Sequence, residues 1–152
     1  NLHLDHPLEW RVASFTSATI FLFFLTLVIL LRVLAEEKIT FDTIVGGVCT
    51  YLLLGVTWAS AYALLLVLSP DALWISPRLI EATNWTGPRS AVNPLLQYYS
   101  FVTLSTLGFG DISPVSAGAR TLTAFEGLTG QLYLAVLIAR LVGMHTARLP
   151  NK

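Results

Sequence analysis

Thr103-Leu104-Ser105-Thr106-Leu107-Gly108-Phe109-Gly110-Asp111 is the stretch that decides the reading of this chain. It closes an apolar run, Leu95 to Ser105, of 11 residues. That run is too short to span the hydrocarbon of a bilayer, which takes roughly 20 residues. Asn93-Pro94 opens it as a helix start. The Asn side chain caps free N–H groups, and the fixed φ of Pro suits the first helical turn. A half-length helix flanked by longer apolar segments reads as re-entrant: it dips into the membrane and returns. Non-helical backbone at that depth is tolerable only where protein buries it or where it lines a watery path. Gly108 and Gly110, two residues apart, permit backbone angles that turn successive carbonyls to one side. A row of such carbonyls, repeated around an axis by symmetry, can replace the water shell of a cation.

Outward from this stretch, the chain reads as membrane protein. It has 152 residues, 55% hydrophobic and 12% charged, against about 25% charged in an average soluble domain. Its mean hydropathy is +0.69. The formal net charge is zero, so nothing points to nucleic acid as a partner. Three segments are long and apolar enough to cross a bilayer. The organisation expected is a polar segment 1–11, an additional transmembrane helix 12–34, and a second unit over 43–145. That unit divides into a spanning helix 43–68, an exposed loop 69–92, a half-length helix 93–105, an irregular stretch 106–111 and a last spanning helix 114–145, before a tail 146–152. The link between the first two spans is so short that those helices must be antiparallel neighbours.

The central string resembles the potassium-channel selectivity filter, Thr-Val-Gly-Tyr-Gly-Asp. Thr106, Gly108, Gly110 and Asp111 match, with Leu107 for Val and Phe109 for Tyr. Tyr98 and Tyr99 occupy the place of the aromatic pair that cuffs the filter in this family, and Thr103 matches the family's Thr three residues before the filter Thr. Asp111 to Ser116 and Arg120 follow the family's route into the inner helix, where Gly130 stands at the hinge glycine. The resemblance implies an all-α membrane protein of three transmembrane helices, a re-entrant pore helix and an extended filter, assembled from four identical subunits. It further implies potassium held by backbone oxygens of Thr106, Leu107, Gly108 and Phe109, with Gly110 completing the filter. Gln131, Leu134 and Ile138 share one helical face, and by the same resemblance line the cavity below it. Carbonyl-built selectivity of this kind is a general channel device. No catalytic cofactor is expected, and potassium is the permeant ion.

Other residues carry sharper and blander readings. Phe109 lacks the hydroxyl that in the family bonds to the cuff, so a softer or weakly selective cation filter is the alternative. Val102 stands where some relatives carry a Glu that braces the filter Asp. Glu126 is an acid inside a spanning helix, a functional candidate by default; its expected role is bracing, paired with Tyr98, Tyr99 or Thr129. Cys49, the only cysteine, reads as core. His3 and His6 read as solvated, and Asn84-Trp85-Thr86 is a glycosylation sequon. The first helix holds only Arg11 and Arg32, whereas a voltage sensor needs several arginines along one helix. A transporter would show broken helices in paired repeats, and here there is one. No nucleophile–base set or metal-ligand cluster supports an enzyme. The chain begins at Asn1 and holds one methionine, Met144, so upstream helices or a regulatory domain are expected. Arg32, Lys38, Arg140, Arg148 and Lys152 fall on one side and Arg11, Arg78, Arg89 and Arg120 on the other. That slight excess barely decides topology but agrees with what the resemblance implies, the filter opening outside the cell membrane and the C-terminus lying in the cytoplasm.

Overall fold

The computed structural model describes residues 8–36 and 40–146. Residues 1–7 with His3 and His6, residues 37–39 of the first link, and the tail from 147 lie outside the described residues. Among the described residues, three helices are long and apolar enough to cross a membrane: α1 (Leu8–Ala35), α2 (Phe41–Leu68) and α5 (Ala117–Thr146, of which Ala117–Gly143 is the apolar span). The chain is thus a membrane protein of the all-α class, with one helix ahead of a two-helix unit.

α2 starts two residues before the expected position because of its cap. The Thr40 hydroxyl accepts from the Thr43 N–H at 3.3 Å, and the Thr43 hydroxyl accepts from the Thr40 N–H at 3.3 Å. Two otherwise orphaned donors are satisfied reciprocally. α1 packs along α2 and is fastened to the rest of the chain at three depths. At the filter end, Arg11 Nη2 donates to the Pro88 carbonyl at 3.3 Å. In the apolar middle, Thr19 and Ser60 share a hydrogen bond of 2.7 Å, and Thr26 and Thr57 one of 2.9 Å. Such interhelical bonds average about 0.6 kcal/mol in membranes, with a maximum near 1.7. At the opposite end, the Arg140 guanidinium donates to the carbonyls of Val33 and Glu36. The C-terminal end of α1 and the end of α5 therefore share one side, and the loop around Pro88 occupies the other. The outer face of α1 exposes Ile20, Phe21, Phe23, Phe24 and Leu31, the side chains a hydrocarbon environment would solvate.

The expected exposed loop 69–92 is more structured than its composition suggests. A 3-10 turn at Pro70–Ala72 leads into β1 (Leu73–Ile75), followed by α3 (Pro77–Thr83). β1 pairs antiparallel with β2 (Ile112–Pro114), with Leu73 opposite Pro114, Trp74 opposite Ser113 and Ile75 opposite Ile112. Ala72, Leu73 and Ile75 are buried, while Trp74 faces outward. A three-residue strand has too few positions to show a period, and its partner lies almost forty residues on, so only the fold reveals it. The consequence is local to the filter. The Ser76 N–H donates to the Asp111 carbonyl at 2.9 Å, and the Val115 N–H to the Ala72 carbonyl at 2.9 Å. The loop thereby ties down the chain immediately beyond Asp111.

Cys49 departs from expectation: it is exposed on α2. A lipid-facing side chain and a core side chain have the same apolar composition, so the sequence alone could not separate the two. The core lies where α2 meets the pore helix and α5, around Tyr62, Ala63, Leu96, Tyr99 and Ala119.

Candidate functional site

The pore helix, α4, runs Pro94–Leu104, one residue inside each expected end. Asn93 Oδ1 accepts from the Leu95 N–H at 3.0 Å and from the Leu96 N–H at 3.4 Å, so the cap read from the sequence is present. Leu96, Ser100 and Leu104 recur every four residues and are fully buried, which fixes the face that α4 turns inward. The helix then ends in a defined motif. The Leu107 N–H donates to the Val102 carbonyl and the Thr106 N–H to the Thr103 carbonyl, both at 2.9 Å. These are the paired bonds of a Schellman cap, whose left-handed residue is usually Gly. Here it is Thr106, at φ 59°.

From Thr106 the left-handed conformation repeats every second residue: φ is 59° at Thr106, 58° at Gly108 and 79° at Gly110, and not positive at Leu107 or Phe109. Alternating hand is neither helix nor strand. A β-branched residue in the left-handed region carries strain of order 1–3 kcal/mol. Thr106 therefore stands where Gly would relax the backbone, and the property it adds is a hydroxyl.

In the single chain this segment is open. Leu107 is 62% and Phe109 65% exposed, and a Cβ added at Gly108 or Gly110 would meet nothing within 4 Å. The Phe109 ring lies nearly parallel to that of Tyr98, centroids 6.4 Å apart. The Tyr98 hydroxyl donates to Asp111 Oδ2 at 2.6 Å, which raises the phenol above its ordinary pKa. Tyr98 thus holds the Phe109–Asp111 end of this segment by ring and by hydroxyl. Val102, which stands where some relatives carry a bracing Glu, has no polar side-chain atom to offer Asp111.

Tyr99 points elsewhere. Its hydroxyl shares a hydrogen bond of 2.8 Å with Thr123 on α5, and its ring meets Tyr62 edge-on at 4.9 Å. Glu126 is fully buried. Its carboxyl accepts from the Tyr62 hydroxyl of α2 at 2.6 Å and from the Ser100 hydroxyl of α4. The Ser100 hydroxyl also lies 2.8 Å from the Gly55 carbonyl. The partners expected for Glu126 are therefore replaced: Tyr98 serves Asp111, Tyr99 serves Thr123, and the Thr129 hydroxyl donates back to the Phe125 carbonyl at 2.7 Å. The sequence led to an expectation of a paired acid at this position, but with partners from α4 and α5 alone and none from α2. Tyr62 and Ser100 were missed, although a tyrosine and a serine inside apolar runs are the signal for a buried polar partner.

Gly130 lies within an unbroken α5, pressed against the end of the pore helix. A Cβ there would overlap the Leu104 carbonyl oxygen and come within 3.1 Å of its carbonyl carbon. Of the face assigned to the cavity, Gln131 and Ile138 are exposed and Leu134 half-buried. Gln131 Nε2 donates to the Thr106 hydroxyl at 3.4 Å. Among the described residues there is no group of His, Cys, Asp or Glu able to hold a metal ion.

A capped half-helix, a filter-like strand of alternating hand and two flanking spanning helices together define the pore module of an ion channel. The family model described as "Ion channel" matches residues 39–146, more than half of the chain, and the chain belongs to that family. Neither a curated protein nor a solved structure matches it. α1 lies wholly before the matched region.

Proposed function

We propose that the chain is the pore subunit of a potassium-selective channel in which four copies surround one ion path. The observation that carries this is the alternation of left-handed residues at Thr106, Gly108 and Gly110. It supplies one strand of inward-turned oxygens: the carbonyls of Thr106, Leu107, Gly108 and Phe109, with the Thr106 hydroxyl at the inner end. A dehydrated cation needs oxygens all round, and one strand offers them from one side only. The exposure of the same strand in the single chain supports closure by further copies, since bare backbone at membrane depth must be covered or line water. Cyclic closure is the usual way for one patch to be covered by its own kind. The C-terminal end of α4 would aim its negative dipole at the cavity and favour a cation there.

In this reading conduction is passive. The filter opens to the outside of the cell membrane, and the α1–α2 link lies in the cytoplasm. A weakly selective cation pore is the second reading, favoured by the missing hydroxyl of Phe109 and by its exposure. The deciding measurement is the reversal potential of the purified protein in a planar bilayer between potassium on one side and sodium on the other. Reversal close to the potassium equilibrium potential is expected. Reversal near zero would install the weakly selective reading, and absence of cation current would reject both.

A further inference from the structure

Thr106 is a β-branched residue in a left-handed conformation at a helix C-terminus. Such a conformation persists only where the surroundings over-determine it. The backbone supplies one constraint, the N–H bond to Thr103. The side chain supplies another, because Gln131 Nε2 on α5 donates to Thr106 Oγ1 at 3.4 Å. That distance lies beyond the usual N–H···O range of about 2.7–3.2 Å, so any movement of α5 away from Thr106 would break the contact. The contact exists because the preceding residue is Gly130. Any larger residue there would push α5 off the Leu104 carbonyl and carry the amide beyond hydrogen-bonding range.

Resting on the channel reading above, we infer that Gln131 is a positioning residue for permeation, whose side-chain amide holds the Thr106 hydroxyl in place at the inner end of the filter. A threonine hydroxyl has two lone pairs and one rotor. The Gln131 N–H occupies one lone pair and stops the rotor. The other lone pair is then fixed for the ion that arrives from the cavity. Four such pairs would form the first oxygen ring an outward-moving ion meets. The rings above it are backbone carbonyls that Gln131 does not touch. Loss of the amide should therefore slow outward flux while leaving ion preference intact.

The test is a double-mutant cycle on unitary currents in bilayers. Gln131→Leu, which keeps bulk and loses the donor, should lower outward unitary conductance by at least about twofold, the smallest coupling that contacting residues usually show. The potassium–sodium reversal potential should not move. In a Thr106→Ser background, which keeps the acceptor, the same loss should appear. In a Thr106→Ala background, which lacks it, Gln131→Leu should add nothing. Where Thr106→Ala carries no current, the cycle is closed instead on potassium binding, by calorimetry of the purified proteins. Equal losses in the alanine and wild-type backgrounds, or an unchanged conductance in Gln131→Leu, would overturn the inference and leave the channel reading standing. A wild-type protein without potassium current would instead remove the channel reading and this inference with it. A merely structural role for Gln131 would lower the yield of channels and leave the unitary current of those that assemble unchanged.

Discussion

Replacing Gly130 by Ala and, separately, Gly127 by Ala makes one chemical change twice on one helix, three residues apart. Both variants gain helix propensity of about 0.8–1 kcal/mol. At Gly127 the nearest atom a new Cβ would meet is the Thr103 carbonyl oxygen at 4.0 Å, an ordinary contact. The gain is kept there, and the variant should be as stable as the wild type or more so. At Gly130 the Cβ would overlap the Leu104 carbonyl oxygen and lie 3.1 Å from both the carbonyl carbon and Cδ1 of that residue. Backbone cannot rotate away as a side-chain tip can, so one helix must shift. Overpacking of this kind costs about 1–3 kcal/mol, which equals or outweighs the propensity gain. The two variants should therefore differ by about 1–3 kcal/mol, or roughly 2–12 °C in Tm at the 2–4 °C per kcal/mol of chains this size. Tryptophan fluorescence on heating in detergent reads the difference. Leu104 lies two residues before Thr106, so Gly130→Ala should also disturb the filter and shift the reversal potential. A simple hinge would behave otherwise, with altered open probability and an intact filter. Equal midpoints for the two variants, or wild-type selectivity in Gly130→Ala, would refute the close-approach reasoning.

Two further substitutions probe the site from either side. Tyr62→Phe keeps the ring against Tyr99 but leaves one Glu126 oxygen without its donor; the cost should be about 1–3 kcal/mol, that of an unsatisfied buried group, and exceed the average of about 0.6 for a membrane hydrogen bond. Thermal midpoints check it, and adding Glu126→Leu should cost less than the sum of the two single changes; strict additivity would mean the pair does not interact. At the filter, Gly110→Ala places a Cβ at φ 79°, costing roughly 1–2 kcal/mol in each copy, and should abolish unitary current. Phe109→Tyr, whose backbone is unchanged, should keep potassium preference in the same bilayer recording; loss of preference there, with Gly110→Ala still conducting, would mean that carbonyl geometry does not set selectivity.

Much of this protein is legible in one dimension because a membrane simplifies the rules. Hydrocarbon allows few backbone solutions, so apolar length alone marks α1, α2 and α5, and an apolar run of half that length marks α4. The cap at Asn93 and the glycine spacing of the filter are local chemistry, and the structure keeps both. An acid at position 126 had to be buried against partners, because its neighbours in sequence are apolar or hydroxylic and its helix spans the membrane.

Which partners, however, depends on the rotation of three helices about their axes, and no periodicity in so uniformly apolar a chain reports that angle. Tertiary packing alone gave Glu126 to Tyr62 and Ser100, sent Tyr98 to Asp111 and Tyr99 to Thr123, and turned Cys49 outward. It also paired β1 with β2 across the filter, since three residues carry no pattern and their partner is distant in sequence. Gly130 shows the division most plainly. Its identity in the sequence suggested freedom to bend, but its position against the Leu104 carbonyl makes it a requirement for close approach. The physical reason is that chain-local preferences act within a few residues, whereas steric exclusion between helices is decided by atoms that are neighbours only after folding.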